Sequence, residues 1–276
     1  MWRCFISRLL LAGLTAFAGC SAYGPARPGE KIYRGVEYSR PNGTGLHLDL
    51  YVPKSPKPSP VVVWYHGGSW KYGHPGFHLL VRDLTKYGLA VASVEYRLLS
   101  RRHRWPEQLD DSLAAVDWVR ANGAKYGLDP KRMGVSGESA GGHLAALVAV
   151  MKEKPAIDAA CVLYAPSDLV VLGRRYRGFG RLSVVSQMFR GDIDERLDLA
   201  RAASPARLVT PNAPPFLIYH GERDWLVPLE HGVMLHAALL RKHVPSEFVV
   251  VKNKSHAFVL DHSQVAQVAA FFRRHL

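Results

Sequence analysis

The chain has 276 residues, of which 48% are hydrophobic, and a formal net charge of +13 at pH 7. This length and apolar content suit one large domain with a full core. The positive charge favours anionic neighbours, but no nucleic-acid-binding motif accompanies it, so no nucleic acid partner is expected. Anionic lipid, an acidic envelope polysaccharide or simple solubility are the better explanations of the charge. No ligand spacing matches a metal site, and no cofactor is predicted.

The N-terminal segment is predicted to lie outside the domain. A basic start followed by a short apolar run is typical of a signal peptide, here over residues 1–19, and is too short to span a membrane. The small residues before Cys20 resemble a bacterial lipobox, which predicts lipidation of Cys20 and a membrane anchor in the cell envelope. The alternative is export to the periplasm or medium, with cleavage after Ala18 or Gly19. Residues 20–31, rich in Gly and Pro, would form a tether.

From residue 32 onward the pattern is that of a folded domain. Residues 32–40 and 46–52 alternate in polarity around a turn at 41–45, which predicts a β-hairpin. Strands and helices alternate after the next apolar run, so we expect a mostly parallel sheet with helices on both faces. Further strands are predicted over 61–65, 90–96, 133–136, 159–164, 216–219 and 247–251, and helices over 75–87, 106–126, 140–151, 229–242 and 261–274.

One short run carries a strong chemical signal. Gly137-Glu138-Ser139-Ala140-Gly141 follows an apolar strand and opens a helix. A serine at such a tight turn stands exposed in strained backbone, and side chains two positions before and after it would collide, which explains the two glycines. The string alone also fits a glycine-rich loop. A nucleophilic serine would need a base, an orienting acid and donors for an oxyanion.

Three other loops could supply those groups, one before Ser139 in the sequence and two after it. Each follows a predicted strand, as the Ser139 turn does. The run at 66–70, His-Gly-Gly-Ser-Trp, follows the third strand, Asp224 follows the seventh and His256 follows the eighth. The chain order Ser139, Asp224, His256 is that of the α/β-hydrolases and differs from the chymotrypsin and subtilisin orders.

Taken together, these segments resemble the α/β-hydrolase esterases of the hormone-sensitive-lipase and bacterial feruloyl-esterase-like groups, with kynurenine formamidase as a relative. The resemblance covers nearly all of the chain after the signal peptide, although Ser69 replaces the third glycine of the usual oxyanion loop. It implies an eight-stranded, mostly parallel sheet within a domain over residues 32–276. The matching segments are 66–70, 95–98, 105–111, 137–144, 204–205, 214–216, 224–228 and 256–258.

The resemblance also implies a reaction, a serine carboxylic-ester hydrolysis through an acyl-enzyme on short-acyl or aryl esters. Ser139 would be the nucleophile, His256 the base and Asp224 the group that orients the base, with Glu222 as the alternative acid. An amidase or formamidase, or a non-catalytic scaffold that only binds, are the alternatives. The predicted oxyanion donors are the backbone N–H groups of Gly68, Ser69 and Ala140.

One segment breaks the alternation of strands and helices. Residues 167–205 combine arginines with aromatic and apolar side chains. In this fold an insertion at that point commonly forms a lid over the site, so we expect it to determine specificity. Its basic and aromatic character suits an acidic or aromatic acyl group. A solvated helical excursion with ordinary charges is the alternative.

Overall fold

The computed structural model describes residues 25–76, 79–153 and 156–276, so the predicted signal peptide and Cys20 lie outside the described residues. The strands are β1 (Lys31–Ser39), β2 (Leu46–Val52), β3 (Ser59–Tyr65), β4 (Ala90–Val94), β5 (Leu128–Glu138), β6 (Ala159–Leu163), β7 (Phe216–Gly221) and β8 (Ser246–Val251). They form one sheet in the order β1-β2-β4-β3-β5-β6-β7-β8. The pairs β1–β2 and β2–β4 are antiparallel and all the others are parallel, which confirms the predicted fold class.

Each of the five predicted helices is present at least in part. In the described residues, four further α-helices lie between β6 and β7, and short 3-10 helices lie between several of the helices. The α-helices of the described residues are α1 (Leu79–Asp83), α2 (Glu107–Asn122), α3 (Ala140–Lys152), α4 (Leu169–Arg175), α5 (Val184–Phe189), α6 (Leu197–Ala202), α7 (Pro205–Leu208), α8 (Glu230–Arg241) and α9 (His262–His275). None of these helices has both the length and the apolar content needed to cross a membrane.

Two predicted helices are shorter than the sequence pattern indicated. The helix predicted over 75–87 is α1 followed by a 3-10 helix over Leu84–Tyr87, and the residues at its expected start form a turn. The Pro75 carbonyl there accepts a hydrogen bond from Ser93 Oγ of β4, which holds the turn against the sheet. The helix predicted over 106–126 ends at Asn122 and continues as a 3-10 helix, because a glycine, a poor helix former, stands at position 123.

The core consists of two apolar layers, one on each face of the sheet. Alternate residues of β3 point to opposite faces, with Val63 in one layer and Trp64 in the other. Side chains of α2, α3 and α8 complete the first layer, and those of α1 and α9 complete the second. Both faces of the central strands are therefore buried, as expected for parallel sheets.

The residues before β1 lie against this core. Glu30 forms an ion pair with Arg82 at 2.9 Å and accepts a hydrogen bond from Thr85 Oγ1 at 2.9 Å, and its side chain is nearly buried. Arg82 also donates to the Pro25 carbonyl at 2.7 Å. Residues 25–30, the described end of the predicted tether, thus contact α1 and the 3-10 helix after it.

The parallel strands run in one direction, so the loops after their carboxyl ends meet at one edge of the sheet. The loops after β3, β5, β7 and β8 carry the residues that the sequence singled out. Helices α4 to α7 occupy the predicted insertion between β6 and β7. Its arginines are partly neutralised, since Arg174 and Arg177 each lie 2.9 Å from Asp194.

Candidate active site

Ser139 lies between β5 and α3 in a strained backbone conformation, with φ 50° and ψ −120°. The turn is tight because Gly137 and Gly141 pack directly against backbone. A Cβ at Gly137 would lie 2.5 Å from the Gly141 carbonyl oxygen, and a Cβ at Gly141 would lie 2.0 Å from that of Tyr65. Real Cβ atoms do not approach so closely, so only glycine fits both positions.

The structure brings Ser139, His256 and Asp224 together in one chain of hydrogen bonds. His256 Nδ1 lies 2.7 Å from Asp224 Oδ2, and His256 Nε2 lies 2.9 Å from Ser139 Oγ. With the ring proton on Nδ1 and directed at the carboxylate, Nε2 is free to accept the serine proton. These residues are far apart in sequence and come together because the loops that carry them lie at the same edge of the sheet.

Asp224 is held by contacts to both of its oxygens. Oδ1 accepts hydrogen bonds from the backbone N–H groups of Leu226 and Val227, at 3.0 and 2.9 Å. Oδ2 faces His256 and also His220, whose Nε2 is 3.5 Å away. Burial alone raises the pKa of Asp224, but the contacts from His220 and His256 outweigh it and lower the pKa to about 2. The carboxylate is therefore ionised at neutral pH.

Glu222, the alternative acid, takes no part in this chain. Its side chain is exposed, and its Oε2 accepts a hydrogen bond from the backbone N–H of Asn253 at 2.8 Å. It helps to hold the loop that carries His256. Geometry therefore favours Asp224 as the partner of the histidine.

The loop after β3 has the unusual backbone expected of an oxyanion loop. Gly68, Ser69 and Trp70 all have positive φ, at 111°, 54° and 58°. A Cβ at Gly68 would lie 2.2 Å from the carbonyl oxygen of Tyr72, so this position also requires glycine. Ser69 and Trp70 adopt left-handed backbone despite their side chains, a strain typical of functional loops. Ala140 lies at the N-terminus of α3, next to Ser139.

Two histidines near the loop are buried connectors. Burial lowers the pKa of His66 and of His143 to about 4, so both rings are neutral. His66 Nδ1 donates to the Gly67 carbonyl at 2.7 Å, and its ring stacks on Tyr96. Trp70 is buried, and its Nε1 donates a hydrogen bond to His143 Nδ1.

Tyr164 and His220 belong to the site, and sequence reasoning did not assign either to it. Tyr164, directly after β6, packs edge-on against His256 with ring centroids 4.9 Å apart. Its hydroxyl donates to Glu138 Oε2 at 2.5 Å. The sequence signal for Tyr164 was its position at the end of the strand beside β5, and that for His220 was its position near the end of β7, four residues before Asp224.

Within the described part of the chain, no group of three or more His, Cys, Asp or Glu side chains could hold a metal ion. Cys161 is a free, buried thiol in β6, and burial raises its pKa to about 12. It is therefore a core residue and not a nucleophile at neutral pH.

A mostly parallel sheet whose fifth strand turns sharply at a serine into a helix is that of an α/β-hydrolase. The chain belongs to the BD-FAE family, whose model matches residues 48–239. The matched range contains Ser139 and Asp224 and ends before His256. The predicted resemblance to α/β-hydrolase carboxylesterases is confirmed.

Known proteins agree with this assignment. The chain is 35% identical over 195 residues to esterase LipC of Mycobacterium tuberculosis. This alignment covers 64% of this chain and 47% of LipC. Its fold is similar to that of an esterase from Pyrobaculum calidifontis, with a TM-score of 0.75, 27% identity and coverage of 92% of this chain and 87% of that one. A truncated carbohydrate esterase from gut microbiota, at a TM-score of 0.80, 24% identity and coverage of 91% and 99%, shares the fold. The chain spans about half the length of the curated relatives it matches.

Proposed function

We propose that the protein is a serine carboxylic-ester hydrolase that works through an acyl-enzyme. The observation that carries the proposal is the continuous chain of short contacts from Asp224 Oδ2 through His256 to Ser139 Oγ, at 2.7 and 2.9 Å. A nucleophile needs a base within hydrogen-bond reach and a third group that orients the base, and all three meet that condition here. A scaffold kept only for binding has no need of this alignment.

The geometry supports the following reaction. His256 Nε2 takes the Ser139 proton as Oγ attacks the ester carbonyl, and the ionised Asp224 stabilises the imidazolium that forms. His256 then gives the proton to the leaving alcohol, and a water activated by the same ring hydrolyses the acyl-enzyme. The developing oxyanion would be held by the backbone N–H groups of Gly68, Ser69 and Ala140, the last at a helix N-terminus that favours negative charge.

The substrate class is proposed from the names of similar proteins. They are esterases, and one structure with the same fold is a carbohydrate esterase. We therefore propose short-acyl or aryl esters, including acylated carbohydrates, as substrates.

The test compares wild type with Ser139→Ala on 4-nitrophenyl acetate, butyrate and octanoate. We expect hydrolysis and fluorophosphonate labelling of the wild type and neither in the variant. The matching 4-nitroanilides separate an esterase from an amidase, and we expect the esters to be cleaved much faster. Equal hydrolysis by the two proteins would exclude Ser139 as the nucleophile.

We also propose that the chain is exported and anchored in the cell envelope through a lipid on Cys20. The lipobox-like residues before Cys20 and the basic, apolar run at 1–19 support this. Fractionation of cells that express wild type or Cys20→Ser tests it. We expect the wild type to stay in the membrane fraction after a high-salt wash and the variant to be released by that wash, since salt weakens electrostatic binding but not a lipid anchor. The same distribution for both after the wash would contradict lipidation.

A further inference from the structure

Four exposed apolar side chains lie on segments that flank the candidate site. Single exposed apolar residues are ordinary, but a group beside a site indicates an interaction surface. Trp225 directly follows Asp224, Tyr72 lies three residues after Ser69, and the other two lie in the insertion between β6 and β7. Their exposed fractions are 52% for Tyr72, 43% for Phe179, 81% for Leu182 and 56% for Trp225.

Hydrogen bonds link the loop after β3 to the insertion. Lys71 Nζ donates to Gln187 Oε1 at 2.9 Å, and Gln187 Nε2 donates to the Leu182 carbonyl at 3.0 Å. Arg104 Nη1 donates to the Gln187 carbonyl at 3.0 Å. The segment that exposes Leu182 is therefore held beside the loop that exposes Tyr72.

A second set of contacts links the insertion to the loop of Asp224. The Tyr176 hydroxyl lies 2.7 Å from the Leu226 carbonyl oxygen and 3.3 Å from that of Trp225. The Phe179 ring lies 6.0 Å from the Tyr176 ring, centroid to centroid. The segments 71–72, 176–190 and 225–226 thus form one connected surface, which we call the rim.

The rim also carries two arginines that form no ion pair with the described residues. Arg181 and Arg190 are exposed, and neither has an acidic partner within 4 Å in the described residues, whereas the nearby Arg174 and Arg177 are paired. Both line a cavity of about 520 Å³ together with Gln187. Two acids, Asp192 and Glu195, also line that cavity. Asp192 Oδ2 lies 3.4 Å from Arg177 Nε, so it already has a cationic partner.

We propose that the rim docks on an anionic lipid surface, with the candidate site facing the bilayer. Exposed aromatic side chains favour the headgroup region, and a protruding leucine can enter the acyl boundary. Unpaired arginines bind lipid phosphates, and the net charge of +13 attracts the protein to an anionic surface. The proposal concerns binding and does not depend on the proposed reaction, although it would place esters that partition into a bilayer beside Ser139.

Vesicle binding tests the proposal. Full-length chains, all carrying Cys20→Ser so that lipidation cannot contribute, are sedimented with phosphatidylcholine vesicles that contain or lack phosphatidylglycerol, at low and high salt. A lipid titration yields the partition coefficient. Because every arm keeps the same residues 1–24, any binding by that segment is common to all.

The rim variants are Arg181→Gln/Arg190→Gln and Leu182→Ser/Trp225→Ser. Their matched controls are Arg201→Gln, an exposed arginine paired with Asp198, and Leu240→Ser, an exposed leucine of α8. We expect the wild type to bind anionic vesicles and each lost arginine to weaken binding about fivefold, which corresponds to about 1 kcal/mol per cation at an anionic surface. The apolar pair should also weaken binding, and the two controls should bind as the wild type does.

Equal partition coefficients for wild type and both rim variants would overturn the proposal. Equal binding to vesicles with and without phosphatidylglycerol would also overturn it. Near-ultraviolet circular dichroism shows whether each variant is folded, so a loss of binding is not mistaken for unfolding. Hydrolysis of soluble 4-nitrophenyl acetate by the wild type is measured separately. Vesicle binding without hydrolysis would support the docking surface and contradict the proposed reaction. Hydrolysis without vesicle binding would support the reaction and contradict the docking surface.

Discussion

Trp70 Nε1 donates a hydrogen bond of 3.2 Å to His143 Nδ1, which ties the loop after β3 to the first turns of α3. The other ring nitrogen, His143 Nε2, donates to the Ala203 carbonyl at 2.7 Å. Both contacts require the neutral ring with its proton on Nε2. His143 therefore connects the predicted oxyanion loop, the serine helix and the insertion through one uncharged side chain.

This buried neutrality predicts that stability depends on pH. Burial lowers the pKa of His66, His143 and His231 to about 4, whereas the unfolded chain titrates them near 6.5. Below about pH 6.5 the unfolded state therefore binds more protons. The contribution of these histidines to the free energy of unfolding should be complete above about pH 6.5. It should fall as the pH drops to about 4, by up to about 3 kcal/mol per histidine.

Urea unfolding across this pH range measures the effect. His143→Gln should reduce the slope of stability against pH, while His262→Gln, at an exposed histidine, should leave it unchanged. A free energy of unfolding that stays constant from about pH 7 to about pH 4.5 would contradict the prediction.

Asp224→Asn should lower kcat/KM on 4-nitrophenyl acetate by about 10⁴-fold, because an amide no longer holds the His256 proton on Nδ1. The matched control is Glu222→Gln, at the nearby acid whose side chain accepts a hydrogen bond from the Asn253 backbone N–H. We expect that variant to remain close to wild type in steady-state assays. A large loss in the control together with a small loss in Asp224→Asn would reassign the orienting acid.

His220 should act as a positioning residue for Asp224. Its Nε2 donates to the Val227 carbonyl at 2.7 Å and lies 3.5 Å from Asp224 Oδ2. Glutamine can place an N–H near the position of Nε2, but asparagine is too short. We expect His220→Asn to lower kcat by about tenfold, the value of one hydrogen bond near a charged group, and His220→Gln to recover much of that loss.

The measurement is kcat and KM per active site, with sites counted by fluorophosphonate titration so that unfolded protein does not contribute. KM should change little in either variant, because His220 is buried behind Asp224. Equal kcat values in both variants would mean that His220 contributes only to folding.

Gly141→Ala should destabilise the protein by about 3 kcal/mol or more, since the new Cβ would overlap the Tyr65 and His66 carbonyl oxygens at 2.0 and 2.4 Å. Backbone atoms cannot rotate away as a side chain can. Gly178→Ala is the control, because nothing lies within 4 Å of a Cβ there. Thermal unfolding of both variants checks the prediction, and a Tm of Gly141→Ala equal to that of the control would refute it.

Much of the fold could be predicted because its signals are local. The alternation in β2 placed that strand over its observed bounds, and Asp261 begins α9 through a capping box with Gln264. The glycines around Ser139 also carry local information, since a tight turn excludes side chains. The sequence by itself therefore determined the order of strands and helices and the loops that carry the site.

Only the tertiary structure decided which side chains meet. The neutral link from Trp70 to His143, the approach of His220 to Asp224 and the pairing of Arg174 with Asp194 join residues from different elements. Each contact depends on how two elements pack against each other, and the residues within one segment do not determine that packing. The same reason explains the shortened helix before β4, where a hydrogen bond from Ser93 to the Pro75 carbonyl holds as a turn what the local pattern indicated as helix.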